Sequence, residues 1–139
     1  MFGSAASRSA SAYKRVSVET SVDGADPHKL VTLLFDALQQ ALAGAQFAMQ
    51  RGDIPGKIKQ IGVAMRILEE GLKAPLNLEE GGELAANLNA LYEYCVQRVI
   101  LANARNDAAI LQEVSKLIEQ VASGWKQING QRPAYLQPV

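Results

Sequence analysis

The sequence predicts an all-α protein, an antiparallel four-helix bundle with a flexible N-terminal segment and a C-terminal tail. Four segments of similar length repeat apolar residues at intervals of three and four, which is the spacing that lines one face of a helix. Short breaker sequences separate these segments, and no run shows the apolar–polar alternation of a strand. Helices joined by short loops pack as antiparallel neighbours. We therefore expect a flexible segment at 1–25, a helical bundle at 26–130 and a tail at 131–139.

The first helix starts in "ADPHKL", where Asp26 is placed to cap it and Pro27 takes the first helical position. It is expected to end at Arg51, because Gly52 suits the left-handed conformation that often closes a helix. The residues predicted to face the core are Leu30, Val31, Leu34, Leu38, Ala41, Leu42, Ala45 and Met49.

The second helix is expected to start after a capping Asp53, with Pro55 in its first turn, and to run to about Lys73. Three glycines within this stretch weaken the helical pattern without ending it. The residues predicted to face the core are Ile54, Ile58, Ile61, Met65, Leu68 and Leu72. The sequence "KAPLNLEEGG" that follows has the composition of a loop.

The third helix is predicted from Gly82 to about Ala104, and "ARND" makes a tight connection to a fourth helix that ends near Ile128. We expect Asn106 to cap the fourth helix, with Asp107 close to its positive end. The predicted core residues are Leu88, Leu91, Tyr92, Cys95, Val99 and Ala102 in the third helix, and Ile110, Leu111, Val114, Leu117, Ile118, Val121, Ala122 and Trp125 in the fourth.

Three of the four helices carry apolar residues away from these core faces, whereas the far face of the fourth helix is polar. Small neighbours (Ala37, Gly44 and Ala90) should leave grooves beside them. Scattered surface hydrophobes are common, but pairs of apolar residues away from the core face on three helices favour a surface that binds a partner helix. The N-terminal segment with Val16 and Val18 could also cover such a groove. The candidate binding residues from helical spacing are Leu33, Phe47, Val63, Ile67, Tyr94 and Leu101.

Composition and motifs give little support to other functions. Basic and acidic residues both number 14, so the chain lacks the positive charge typical of nucleic-acid binders. No apolar run reaches the length of a membrane span, and no secretory signal is present, so a cytoplasmic protein is expected. His28 is not part of a Glu-x-x-His motif and is expected on the surface, and Cys95 lies on an apolar face. We expect no catalytic residue, no metal and no cofactor.

The order of several short motifs resembles the flagellar secretion chaperone FliS family. "GGELAANLNALYEYCVQRVILANARND" with the later Trp125 is similar to the second half of that family, "DPHKLVTLLFDALQQALAGA" to its first helix, and "AYKRVSVET" to its N-terminal tyrosine segment. The likeness covers about residues 12–128. It adds Tyr13 to the candidate partner-binding residues and supports Tyr94.

The resemblance implies a cytosolic export chaperone without ATP or metal. Its partners would be the C-terminal segment of flagellin, which becomes helical on binding, and the export-gate protein FlhA. Binding would prevent premature polymerisation and assist flagellar type III export. The chain is expected to be a monomer or weak dimer. An alternative from the residues alone is a structural helical homo-oligomer or adaptor whose apolar stripes pack on each other.

Overall fold

The computed structural model describes residues 26–127, which form four helices as the sequence predicts. Helix α1 spans Pro27–Arg51. Helix α2 spans Ile54–Arg66 and continues directly into a π-helical segment, Ile67–Lys73. Helix α3 spans Gly82–Arg105 and helix α4 spans Ala108–Lys126. The predicted end of the fourth helix at Ile128 lies outside the described residues.

Short polar side chains and one glycine set the helix ends. The carboxylate of Asp26 accepts a hydrogen bond from the Lys29 amide at 2.7 Å, and Asp53 accepts one from the Gly56 amide at 3.0 Å. Gly52 closes α1 with a φ of 71°, a left-handed conformation in which a Cβ is unfavourable. These three predictions are confirmed.

The predicted cap of α4 is wrong by one residue. Asp107, not Asn106, caps this helix, and its carboxylate accepts a hydrogen bond from the Ala109 amide at 3.0 Å. Asn106 instead closes α3 in the left-handed conformation, with a φ of 52°. Asparagine tolerates this conformation better than most residues, which explains why "ND" ends one helix and starts the next.

Contacts along the helices establish that α1 and α4 run antiparallel. Gln39 of α1 exchanges hydrogen bonds with Ser115 of α4, and the earlier residue His28 meets the later residue Trp125. Helix α1 packs against α2 and α4, while α3 packs against α4 and the π-helical segment. Helices adjacent in sequence are therefore adjacent in space, and α4 returns to α1 to close the bundle.

The core follows the prediction closely in α1 and α4 and departs from it in α2. Ile54 and Ile58 were predicted to be buried, but their side chains are 52% and 58% exposed. Ile67 was predicted to lie on the outer face, but it is completely buried. In a π-helix the hydrogen bonds connect residue i to i+5, so the fixed rotation per residue of an α-helix does not apply there. Both Ile67 and its neighbour Leu68 consequently face the core.

A lysine occupies a core-facing position of α2. Lys57 is buried, and its Nζ donates to Asn106 Oδ1 at 3.1 Å and lies 3.5 Å from the Asn103 carbonyl oxygen. Its methylene stem packs within the bundle while the ammonium meets the C-terminal end of α3, where the helix dipole is negative. Lys57 thus ties the start of α2 to the end of α3.

His28 is not the surface residue that the sequence suggested. Its ring stacks on Trp125 with centroids 4.8 Å apart, and its Nε2 lies 2.8 Å from the Trp125 carbonyl oxygen. In return, Trp125 Nε1 donates to the His28 carbonyl oxygen at 3.0 Å. This pair holds the first turn of α1 against the last turn of α4, so the chain enters and leaves the described bundle at the same end.

Candidate functional site

Two of the predicted partner-binding residues are clearly exposed. Phe47 on α1 is 56% exposed and Tyr94 on α3 is 44% exposed. Leu33, Val63 and Leu101 are half-buried and pack at the margin of the core, so only part of each side chain is available to a partner. Ile67 is buried and offers no such surface, and Tyr13 lies outside the described residues.

The Tyr94 side chain is held in place by α3 and α4 together. Its hydroxyl donates to Glu113 Oε2 at 2.5 Å, and the guanidinium of Arg98 lies 5.9 Å from its ring centroid. Arg98 Nε also donates to Glu113 Oε1 at 2.9 Å. These contacts fix an exposed aromatic ring before any partner arrives, which lowers the entropy lost on binding.

The same contacts shift the acidities of both groups. Donation to Glu113 raises the pKa of the Tyr94 hydroxyl above its ordinary value of 10.0. The hydrogen bond from Tyr94 lowers the pKa of Glu113, and Arg98 acts in the same direction, while partial desolvation opposes them. At neutral pH the phenol therefore stays neutral and the carboxylate stays charged.

Phe47 is exposed near the turn between α1 and α2. The guanidinium of Arg51, one turn later on α1, lies over its ring at 5.1 Å from the centroid, an arrangement favoured by the ring quadrupole. The groove predicted beside Gly44 is filled, because a Cβ built on Gly44 would lie 3.1 Å from the side chain of Gln60. The Phe47 ring is therefore exposed at the surface, and the neighbouring position Gly44 is covered by Gln60 of α2 and leaves no groove.

The sequence interpretation missed exposed isoleucines on α2 and α3. Ile54 and Ile58 of α2 are exposed, and Ile100 of α3 is 49% exposed. Gly62, on the same helix as the two isoleucines, has open space where a Cβ would stand. These residues were missed because Ile54 and Ile58 were assigned to the core. The positions of the isoleucines in the sequence did not indicate which face of α2 is buried.

An apolar cavity of about 250 Å³ lies at the end of the bundle where α1 begins and α4 ends. Its inner wall includes Phe35, Leu72 and Trp125, and its exposed rim includes Leu84, Gln120 and Gly124. Hence the mouth opens between the start of α3 and the end of α4. The sequence offered one signal for it, the Leu84–Leu88 pair one turn apart in "GGELAANL", but only Leu88 was assigned to the core.

The described residues carry little reactive chemistry. Burial raises the pKa of the Cys95 thiol to about 11, so it remains protonated at neutral pH and is a poor nucleophile. Among residues 26–127, no three histidine, cysteine, aspartate or glutamate side chains are grouped so that they could hold a metal ion. No helix in that range is long and apolar enough to cross a membrane.

The fold and these surfaces define a class of protein, a four-helix bundle with fixed aromatic rings and apolar side chains exposed on its surface. Comparison with known proteins identifies the family. The family model described as flagellar protein FliS matches residues 9–132, and the chain belongs to this family of flagellar secretion chaperones.

Relatives from several bacteria support the assignment over most of the chain. The flagellar secretion chaperone FliS of Salmonella typhimurium is 44% identical over 118 residues, which cover 85% of this chain and 87% of that protein. The flagellar secretion chaperone FliSB of Pseudomonas aeruginosa is 46% identical over 117 residues, which cover 84% of this chain and 92% of that protein. FliS of Bacillus subtilis is 29% identical over 109 residues, covering 78% and 80%.

Proposed function

We propose that this chain binds the C-terminal segment of flagellin in the cytoplasm and delivers it for flagellar type III export. The observation that carries the proposal is the exposure of Phe47 and Tyr94. The guanidinium of Arg51 lies over the Phe47 ring, and Glu113 accepts a hydrogen bond from the Tyr94 hydroxyl. Leu101 and Leu33 add half-buried apolar surface on the same helices. The residues proposed to contact the guest are therefore Tyr13, Leu33, Phe47, Val63, Tyr94 and Leu101.

Binding is the whole of the proposed mechanism. A disordered guest segment would become helical while its apolar face covers these residues, a recognition mode known for amphipathic helices in grooves. Burial of roughly 400 Å² of apolar surface at about 25 cal/mol per Å² would yield on the order of 10 kcal/mol gross. Ordering the guest costs at least about 2–5 kcal/mol of that sum. A bound guest would be unable to polymerise.

Delivery requires a second interaction, which we assign to the export-gate protein FlhA on the basis of the family resemblance. Because α1, α2 and α3 each present exposed apolar side chains, one partner need not displace the other. A complex of chaperone, flagellin peptide and the soluble part of FlhA should therefore elute together in size-exclusion chromatography. Exclusion of the peptide on addition of FlhA would instead indicate a shared surface.

Calorimetry with a synthetic flagellin C-terminal peptide tests the main proposal. The unmodified chain should bind with a negative change in heat capacity, the mark of apolar burial. Phe47→Asp and Leu101→Asp should weaken binding, since each places a charge in the proposed interface. Ser123→Asp, on an exposed site in the polar groove between α1 and α4, is the matched control. Circular dichroism must show that all three variants are folded, and undiminished binding by folded Phe47→Asp and Leu101→Asp would remove the site.

The same exposed apolar surface would also serve a homo-oligomer, so the assembly state separates the two functions. Light scattering at micromolar concentration should give the mass of a monomer, and addition of the peptide should give a one-to-one complex. A stable oligomer that excludes the peptide would favour the structural role.

Tyr13 remains a prediction. If it contacts the guest, deletion of residues 1–20 and the single change Tyr13→Ala should both weaken peptide binding. Tighter binding after the deletion would mean that this segment covers a groove and competes with the guest. No change would remove Tyr13 from the proposed site.

A further inference from the structure

The apolar cavity at the end of the bundle has an accessible mouth beside the last turns of α4. Its lining is almost wholly apolar, and Leu84 is 53% exposed at its rim. Gln120 and Gly124, both exposed, form the α4 side of the rim. A concave apolar site of this kind is suited to one or two large side chains from an extended segment.

The chain leaves the described bundle at this rim. Trp125 lines the cavity, and the segment 128–139 follows Gln127 one turn after Gly124. Near its start, after Ile128, the segment contains Asn129–Gly130, a pair that strongly favours chain reversal. A chain reversed there needs to travel only about 10 Å back along α4 to reach Gln120. Five extended residues beyond Gly130 span up to about 16 Å, enough to place Tyr135 at the mouth.

The chemistry of the segment matches the site. Tyr135 and Leu136 are adjacent large apolar side chains, and Pro133 and Pro138 on either side limit the conformations that would be lost on docking. Arg132 precedes them, and the rim side of α3 begins with Glu83 after the loop carboxylates Glu79 and Glu80. The family match ends at residue 132, so the apolar pair is a feature that the family pattern does not supply.

We propose that residues 131–136 fold back along the end of α4 and seat Tyr135 and Leu136 in the cavity between α3 and α4. Gln120 also lines the shallow groove on α4 that contains Glu113 and Leu117, and Glu113 holds Tyr94. The docked segment would therefore lie beside the surface proposed for the guest. It would compete with any guest long enough to extend into the cavity. This competitive role, unlike the docking itself, rests on the proposed function.

Engineered disulfides test the docking without any guest. Ala134→Cys is combined with Leu84→Cys at the mouth or, as the control, with Ser123→Cys on the polar α1 side of α4. Ser123 lies on α4 only four residues before Gln127, so an undocked segment should cross-link to it equally fast or faster. Cys95 is buried and does not compete. Docking predicts intramolecular disulfide formation on the order of tenfold faster with Leu84→Cys, because docking raises the effective concentration.

Each other result of this experiment overturns the proposal. Equal rates, or a faster reaction with Ser123→Cys, would mean that the segment does not enter the cavity. Disulfide-linked dimers would show that a second copy supplies the occupant. Faster cross-linking of Leu84→Cys to Val16→Cys than to Ala134→Cys would assign the cavity to the N-terminal segment.

Fluorescence gives an independent measurement, because Trp125 is the single tryptophan of the chain and lines the cavity. The double variant Tyr135→Ser/Leu136→Ser should increase quenching by acrylamide, whereas Gln131→Ser/Gln137→Ser in the same segment should not. Identical quenching in both would contradict docking.

Competition is measured separately. Removal of residues 133–139 should tighten binding of the flagellin peptide several-fold, since the cavity would no longer have to be vacated. An unchanged affinity would remove the competitive role. A peptide that binds neither form would count against the proposed function and leave the cross-linking result unaffected.

Discussion

Helices α2 and α4 have similar apolar content but differ in how well a regular helical pattern describes them. In α4, every residue predicted to face the core is buried or half-buried, and the opposite face is polar and largely exposed. In α2 and its π-helical segment, Ile54 and Ile58 were assigned to the core and are exposed, and Ile67 was assigned to the surface and is buried. Helical periodicity therefore identified the buried face of α4 correctly but did not identify the buried face of α2.

The difference has two physical causes. Apolar residues of α4 fall on one side only, so the position of its core face is unambiguous. The α2 stretch carries isoleucines on more than one side, and burial of Lys57 shows that the selected face depends on a partner, the end of α3. The change to π-helical hydrogen bonding after Arg66 then turns the following residues relative to the first part.

The largest expected effect comes from comparing alanine substitutions of Ile67, which is buried, and Ile58, which is exposed. Ile67→Ala should reduce the free energy of unfolding by about 2–5 kcal/mol, because it leaves a cavity in the core. Ile58→Ala should change it by less than about 0.5 kcal/mol, because the side chain is exposed. Urea unfolding followed by circular dichroism measures both. A larger loss from Ile58→Ala than from Ile67→Ala would restore the core face given by simple periodicity.

The two lysines of α2 give the next contrast. Lys57→Ala should cost about 1–3 kcal/mol, because it removes the buried stem and a charged donor at the end of α3. Lys59→Ala, at an exposed position two residues later, should stay within about 0.5 kcal/mol. Lys57→Met retains most of the stem and should recover part of the loss. Equal costs for the two alanine variants would mean that Lys57 does not join α2 to α3.

Two glycines of the same stretch should respond differently to alanine. Gly62→Ala should stabilise the protein by about 0.4–1 kcal/mol, since nothing lies within 4 Å of the new Cβ and alanine restricts the unfolded chain. At Gly71 the Cβ would lie 3.2 Å from Leu34 Cδ1, so displacement of Leu34 should cancel that gain. Thermal unfolding of the two variants makes the comparison. A similar rise in melting temperature for both would show that the π-helical segment has room to spare beside α1.

The sequence was sufficient for the features that depend on local chemistry. Asp26, Asp53 and Gly52 have few alternative roles between apolar segments, so the helix ends that they define were predictable. The one capping error fell on "ND", where both residues suit both roles and only the packing of α3 selects between them. His28 shows the same limit, because its partner Trp125 is far along the chain.

The candidate site was predictable in part for the same reason. Tyr94 and Phe47 lie far enough from the core direction of regular helices that their exposure follows from spacing. The cavity did not follow from spacing, because its walls come from α1, α3, α4, the π-helical segment and the loop residue Leu76. Such a site depends on where helix ends stop relative to each other, and a single sequence does not specify those positions.

The smallest effect concerns Tyr94, where α3 meets the regular surface of α4. Because the pKa of Tyr94 is raised in the folded protein, its contribution to stability is complete below pH 10 and is lost as the pH rises through the folded value. Glu113 has a lowered pKa, so its contribution is present above the ordinary value of 4.5 and is lost as the pH falls through the folded value. Between these limits the Tyr94–Glu113 contact should add no pH dependence to the stability.

Both groups are solvent-exposed, and the effect of the contact should therefore appear in the titration of Tyr94 rather than in unfolding. In NMR titrations of tyrosine-labelled protein, Glu113→Gln should move the pKa of Tyr94 back toward 10, while Lys116→Gln, one turn from Glu113 on the same exposed face, should not. A Tyr94 pKa that ignores Glu113→Gln would mean that the ring is free at the surface, and the proposed guest site would then lose its preorganised aromatic residue on α3.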